Sequence, residues 1–177
     1  MVVIKMIARE NFILNLIEGN NKSFFIPVYQ RDYSWTEENC IRLIQDIQYA
    51  VDKKLDTHFF GSIGYANKEL AGVSSYCIID GQQRITTVSL LLLAIYNEVD
   101  RRSGENIDEN GEQIILVKEL KNSYFYVNPY KNNPDLKLIL TDFDNEVFRE
   151  LFLNNKVDTN TKIGKNLLSD IVNGKKF

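Results

Sequence analysis

Apolar positions along the chain alternate between helical and strand spacing. In Ala8–Asn21 (ARENFILNLIEGNN), Phe12, Ile13, Leu16 and Ile17 fall on one side of a helix, and Gly19 supplies a stop. Ser23–Trp35 (SFFIPVYQRDYSW) is extended and aromatic, with Pro27 arguing for an edge or irregular strand. Ser34 and Glu37 have the spacing of a capping box. The helix they open carries Ile41, Ile44, Ile47 and Val51 on one face, with Leu43 beside them. Thr57–Asn67 (THFFGSIGYAN) reads as a strand, Gly72 and the serines beside it as a turn, and Ser75–Asp80 as a second strand. From Gln83 to Arg102 the pattern predicts a helix apolar on more than one side (Ile85, Val88, Leu91, Leu92, Leu93, Ile95), which places it at the centre of a core.

Beyond that helix the pattern loosens. Arg101–Gln113 is polar and broken by Gly104 and Gly111, as a loop would be. Ile114–Val127 fits a helix or a strand, and Asn128–Asp135 reads as a loop. Leu136–Asp142 looks like a strand, with a helix from Asp142 to Leu153 after it. Ile163–Phe177 begins one more helical pattern, and no internal repeat is visible.

Composition narrows the classes. The 177 residues are 44% hydrophobic and 25% charged, ordinary for a globular chain with a real core. The formal charge is −3, from 21 basic and 24 acidic residues, so nothing draws the whole molecule to DNA or to an acidic membrane; a local basic patch stays open. The longest apolar run, Leu90–Tyr96, is far too short to span a bilayer, and no membrane partner is expected. The first residues lack the pattern of a signal peptide. Cys40 and Cys77 are isolated and form no CxxC, as expected of reduced thiols in the cytoplasm. With His58 as the one histidine, a zinc site of His and Cys is not expected.

The densest chemistry is Asp80-Gly81-Gln82-Gln83-Arg84, between the second strand and the central helix. The carboxyl end of a strand meeting the amino end of a helix is a common ligand position, and the helix dipole there favours an anion. Gly81 tolerates positive φ and lets a ligand approach the backbone. Arg84 can grip a phosphate with two parallel hydrogen bonds. Asp80 can hold Mg²⁺, usually through water, or accept a proton. Gln82 or Gln83 can orient an attacking water. A plainer reading stands beside this one, with Asp80 as helix cap and Arg84 as its salt-bridge partner. The stretch is not a P-loop, since GxxxxGK[ST] is absent.

Two further stretches add candidates. In IPVYQRDYSW, Gln30 and Arg31 repeat the Gln-Arg pair; Tyr29, Tyr33 and Trp35 can stack on a base, or fill a core as most aromatics do. In HFFGSIGY, His58 can be a general base, a phosphate contact or a structural hydrogen-bonder, while Gly61 and Ser62 can bring backbone close to a ligand. The acidic run Asp142, Asp144, Glu146 reads as a solvated helix start without calcium-loop spacing.

In their order, FFIPVYQRDYSW, LIQDI, HFFGSIGY and IIDGQQRITTVSLLLLAI make this chain resemble the DGQQR-motif domain, the N-terminal domain of GmrSD-type modification-dependent restriction enzymes and their bacterial relatives. The resemblance is strong over Ala8–Glu98 and weaker beyond. It implies an α+β fold of the ParB and sulfiredoxin type, a small mixed sheet flanked by helices. On that reading residues 1–102 form the core, and 103–177 an α-rich extension with a short strand near 136–141. It implies nucleoside triphosphate binding and Mg²⁺-dependent hydrolysis at the motif, Asp80 to Arg84. Gln30 and Arg31 match a second signature, and His58 with Gly61 a third. Tyr29 and Ser62 complete the expected nucleotide site. A separate C-terminal region, expected to be missing here, would contact and cut DNA; a homo-oligomer is compatible with this reading. Two alternatives remain: a non-catalytic DNA-binding module of ParB type, and a nuclease, disfavoured because no second carboxylate stands at a metal-site spacing.

Overall fold

The strand that ends in Asp80 organises the sheet. The computed structural model describes residues 7–70, 72–105, 112–130, 132 and 134–154. In chain order they form α1 (Ile13–Ile17), β1 (Lys22–Phe25), α2 (Glu37–Asp52), β2 (Gly64–Leu70), β3 (Val73–Asp80), α3 (Gln82–Glu105), α4 (Glu112–Phe125), β4 (Tyr126–Val127), β5 (Asp135–Leu136), β6 (Leu138–Ile139) and α5 (Asp142–Asn154). The main sheet has the order β2-β3-β1-β6. β1 runs parallel to β3 and to β6, whereas β2 lies antiparallel on β3. A ribbon of β4 and β5 stands beside it. The fold is thus α+β, a small mixed sheet flanked by helices, as expected.

Strand alternation supplies the core face. Phe24 and Ile78 sit on adjacent parallel strands and are 1% and 0% exposed. Against them α3 lays Ile85, Val88 and Leu93, and α5 adds Phe148, Leu151 and Phe152. Each such side chain contributes about 1.5–3 kcal/mol on burial. One cluster runs from Ile17 to Phe152, across the expected boundary near residue 102. No helix among the described residues is long and apolar enough to cross a membrane.

The elements differ from the sequence pattern in instructive places. The helix expected over Ala8–Asn21 is a five-residue turn of helix, Ile13–Ile17. α2 is opened by Thr36 with Asn39, which exchange both capping-box hydrogen bonds, rather than by Ser34 with Glu37. It buries Cys40 and Leu43, leaving Ile41, Ile47 and Val51 exposed. Thr57–Ile63 is irregular, and the strand expected there begins at Gly64. The ambiguous stretch up to Val127 is a helix as far as Phe125 and then a two-residue strand. The strand expected at Leu136–Asp142 is split at Lys137 between the ribbon and the main sheet. The helical pattern at Ile163–Phe177 lies outside the described residues.

Lys137 explains the split. Its N–H donates to Phe125 O and its carbonyl accepts from Phe24 N, joining the ribbon to the sheet. Its side chain is 1% exposed. The ammonium donates to Ile17 O (2.9 Å), Gly19 O (2.7 Å) and Ser123 O. Three carbonyls hold it with no ion pair among the described residues, and burial pushes its pKa down to about 8 against the attraction of Glu18.

Candidate functional site

The motif residues gather at the carboxyl ends of β1 and β3. Gly81 has φ +85°, a conformation natural to glycine, and its carbonyl accepts Ile85 N–H to start α3. A Cβ at Gly81 would lie 2.9 Å from Ser62 O and 3.2 Å from Ile63 Cα. The neighbour that Gly81 admits is therefore the protein's own chain, the Gly61–Ile63 segment laid over the turn. Gly61 (φ +103°) leaves room in the same way for Arg84, since a Cβ there would stand 2.8 Å from its Nε. The Arg84 guanidinium donates to Ser62 O. It does not pair with Asp80, so the cap-and-salt-bridge reading of the motif does not hold.

The glutamines of both signatures work as hydrogen-bonding struts. Gln30 Nε2 donates to Ile79 O at 2.9 Å. Gln82 Nε2 donates to Arg31 O at 3.0 Å and Gln83 Nε2 to Asp32 O at 3.1 Å. Gln83 Oε1 accepts Ser34 N–H (2.8 Å) and Trp35 N–H (3.2 Å). A strap of backbone, residues 30–35, is thus pinned across the first turn of α3. A loop buried against a helix end needs such partners for its peptide groups.

Further contacts extend the strap to α5. Tyr33 N–H donates to Asp144 Oδ2 (2.5 Å), and Thr141 Oγ1 donates to Asp32 Oδ1 (3.1 Å). The Tyr33 hydroxyl lies 2.9 Å from Thr87 Oγ1 and 3.4 Å from Cys40 Sγ. Burial pushes the Tyr33 phenol well above its ordinary range and the Cys40 thiol up as well, so both stay protonated at neutral pH. Asp144 is 3% exposed, which corrects the reading of the acidic run as wholly solvated. Pattern reasoning missed Asp144, Thr141 and Thr87, because their partners lie 54 to 111 residues away.

One acceptor in this network has no partner among the described residues. Gln82 Oε1 is buried and unbonded. It belongs to a residue lining a cavity of about 10 Å³ with Arg31, Tyr33, Thr86, Thr141 and Asp144. That volume suits a single water molecule.

Asp80 and Arg31 are exposed, and neither side chain makes a hydrogen bond or ion pair among the described residues. The Gln82 strut brings the main chain of Arg31 to the turn that carries Arg84. The structure thus assembles Gln30, Arg31, Gly61, Ser62, Asp80, Gly81, Gln82, Gln83 and Arg84. Tyr29, 76% exposed in a turn closed by Gln30 N–H to Pro27 O, and His58, exposed on the Thr57–Ile63 segment, make no side-chain hydrogen bond to these residues. No three of His, Cys, Asp and Glu come together among the described residues, so Asp80 belongs to no ready-made metal cluster there. A lone carboxylate suits Mg²⁺ only in the mode where phosphates and water supply the other ligands.

No curated protein matches the chain. A family model does, over residues 13–174, which takes in every element from α1 to α5. By that match the chain belongs to the family described as the GmrSD restriction endonuclease N-terminal domain, a domain of restriction-type defence proteins.

Proposed function

We propose that this domain binds a nucleoside triphosphate at the DGQQR turn and hydrolyses it with Mg²⁺, serving as the regulatory part of a restriction enzyme whose DNA-directed activity resides elsewhere. One observation carries the reading: Arg31, Arg84 and Asp80, which make no ion pair among the described residues, lie around the amino end of a 24-residue helix. Arg31 and Arg84 hold the phosphates, supported by the helix dipole. Asp80 would hold Mg²⁺ through water beside the phosphate oxygens. When bound, that ion neutralises charge on the terminal phosphates.

Hydrolysis forms a bond from a water oxygen to the terminal phosphorus and breaks the bond from that phosphorus to the bridging oxygen. The products are a nucleoside diphosphate and inorganic phosphate, with release of the water's proton. Gln82, whose carboxamide oxygen is free, is the residue that orients a water. Gln83, fully occupied by the strap, is a positioning residue.

Thermal unfolding with ATP, GTP, CTP and UTP, with and without Mg²⁺, tests this. A ligand at a hundred times its Kd raises Tm by roughly 5 to 10 °C in a domain of this size. Arg84→Ala is expected to abolish the shift, and Asp80→Ala to keep it while losing phosphate release. Unchanged binding and turnover in both variants would overturn the assignment.

A further inference from the structure

A second concavity lies at the opposite end of the sheet. Asn20, Asn21, Asn128, Pro129 and Tyr130 line an open hollow of about 580 Å³. The parallel register pairs Lys22 with Ser74, which sets Asn21 level with the start of β3, while Asp80 ends that strand. At 3.3 Å per residue the two sites stand on the order of 20 Å apart.

The hollow has the features of a built site. The backbones of its asparagines are fixed: Asn128 N–H donates to Asn20 O at 3.0 Å, and Asn21 O accepts Ser74 N–H at 2.9 Å. Their side-chain amides make no hydrogen bond among the described residues. Asn128 is held at φ +51°, in the left-handed region. Beside these amides the Tyr130 ring is 85% exposed.

The described residues that line the hollow are amides, a proline and a tyrosine, none of them charged. A carboxamide offers a donor and an acceptor side by side, the pattern that matches the edge of a nucleobase. An exposed aromatic ring next to it offers the face on which a base stacks. We propose that this hollow binds a nucleobase, from a free nucleoside or from an unpaired position in a nucleic-acid strand, independently of the phosphate-binding turn.

The test uses ¹⁵N-labelled protein. The side-chain amide signals of Asn20, Asn21 and Asn128 are followed during titration with adenosine, with a single-stranded deoxyadenosine oligonucleotide and with glucose. The proposal expects these signals to move with adenosine and with the oligonucleotide. It expects affinity to drop about tenfold in Tyr130→Ala and to recover in Tyr130→Phe. Raising salt from about 50 to about 200 mM should change nucleoside affinity less than twofold, unlike a contact driven by phosphates. The same shifts in Arg84→Ala separate this site from the turn. Tighter binding per base of the oligonucleotide identifies a strand as the ligand, and equal binding a free nucleoside. No shift with either, shifts that persist unchanged in Tyr130→Ala, or shifts with glucose alone would overturn it.

Discussion

Gln82 and Gln83 are adjacent in sequence and carry opposite duties. Gln83 uses both ends of its amide on Asp32, Ser34 and Trp35, whereas Gln82 spends only its nitrogen. Gln83→Ala leaves three backbone groups unpaired and is expected to cost about 2–4 kcal/mol in urea unfolding; Gln82→Ala should cost about 1 kcal/mol. If the two costs prove equal, the strap is not held as described. Gly61→Ala places a Cβ against Arg84 and is expected to weaken nucleotide binding at least tenfold, read by calorimetry. The motif itself was legible, because Asp, Gln and Arg are costly choices between a buried strand and a buried helix. What the glutamines touch was not. A carboxamide's partner forty-eight to fifty-one residues away leaves no periodic trace.

Among the elements, the long ones followed their pattern and the short ones did not. α3 was readable because apolar residues on several sides demand burial, and from Gln82 to Ala94 most of it is buried. β4, β5 and β6 have two residues each, below the length at which alternation can be seen. α2 shows the limit of periodicity: the face with most isoleucines is exposed, because Cys40 must reach Tyr33 under the strap. Lys137 binds the short pieces together. Lys137→Met takes this donor from the Ile17 and Gly19 carbonyls, while Ser123 O keeps the Gly19 N–H, and is expected to lower stability by about 2 kcal/mol or more. Its depressed pKa has a definite sign. Below about pH 8 the folded and unfolded chains both hold the proton; between there and the ordinary lysine range only the unfolded chain does, so stability rises with pH across that window. Urea unfolding at about pH 7.5 and about pH 9.5 measures the rise, which Lys137→Met should lack.

Taken whole, the described residues share one core from Ile17 to Phe152. The strongest resemblance ended near Glu98, yet Phe148 and Leu151 beyond it are 1% and 0% exposed. A fragment of residues 1–102 lacks β6 and α5 and is expected to give no cooperative thermal transition, whereas residues 1–177 should give one. A folded fragment would show that the later elements are an appendage.

The bond from Tyr33 to Asp144 spans 111 residues. Chains are made at about 5–20 residues per second, so roughly 5 to 20 s separate the synthesis of its two ends. During that interval the strap has been translated and its anchor has not. A ribosome can therefore carry the whole DGQQR motif while its supporting scaffold is still incomplete, so the proposed nucleotide site would be complete only once α5 has been made.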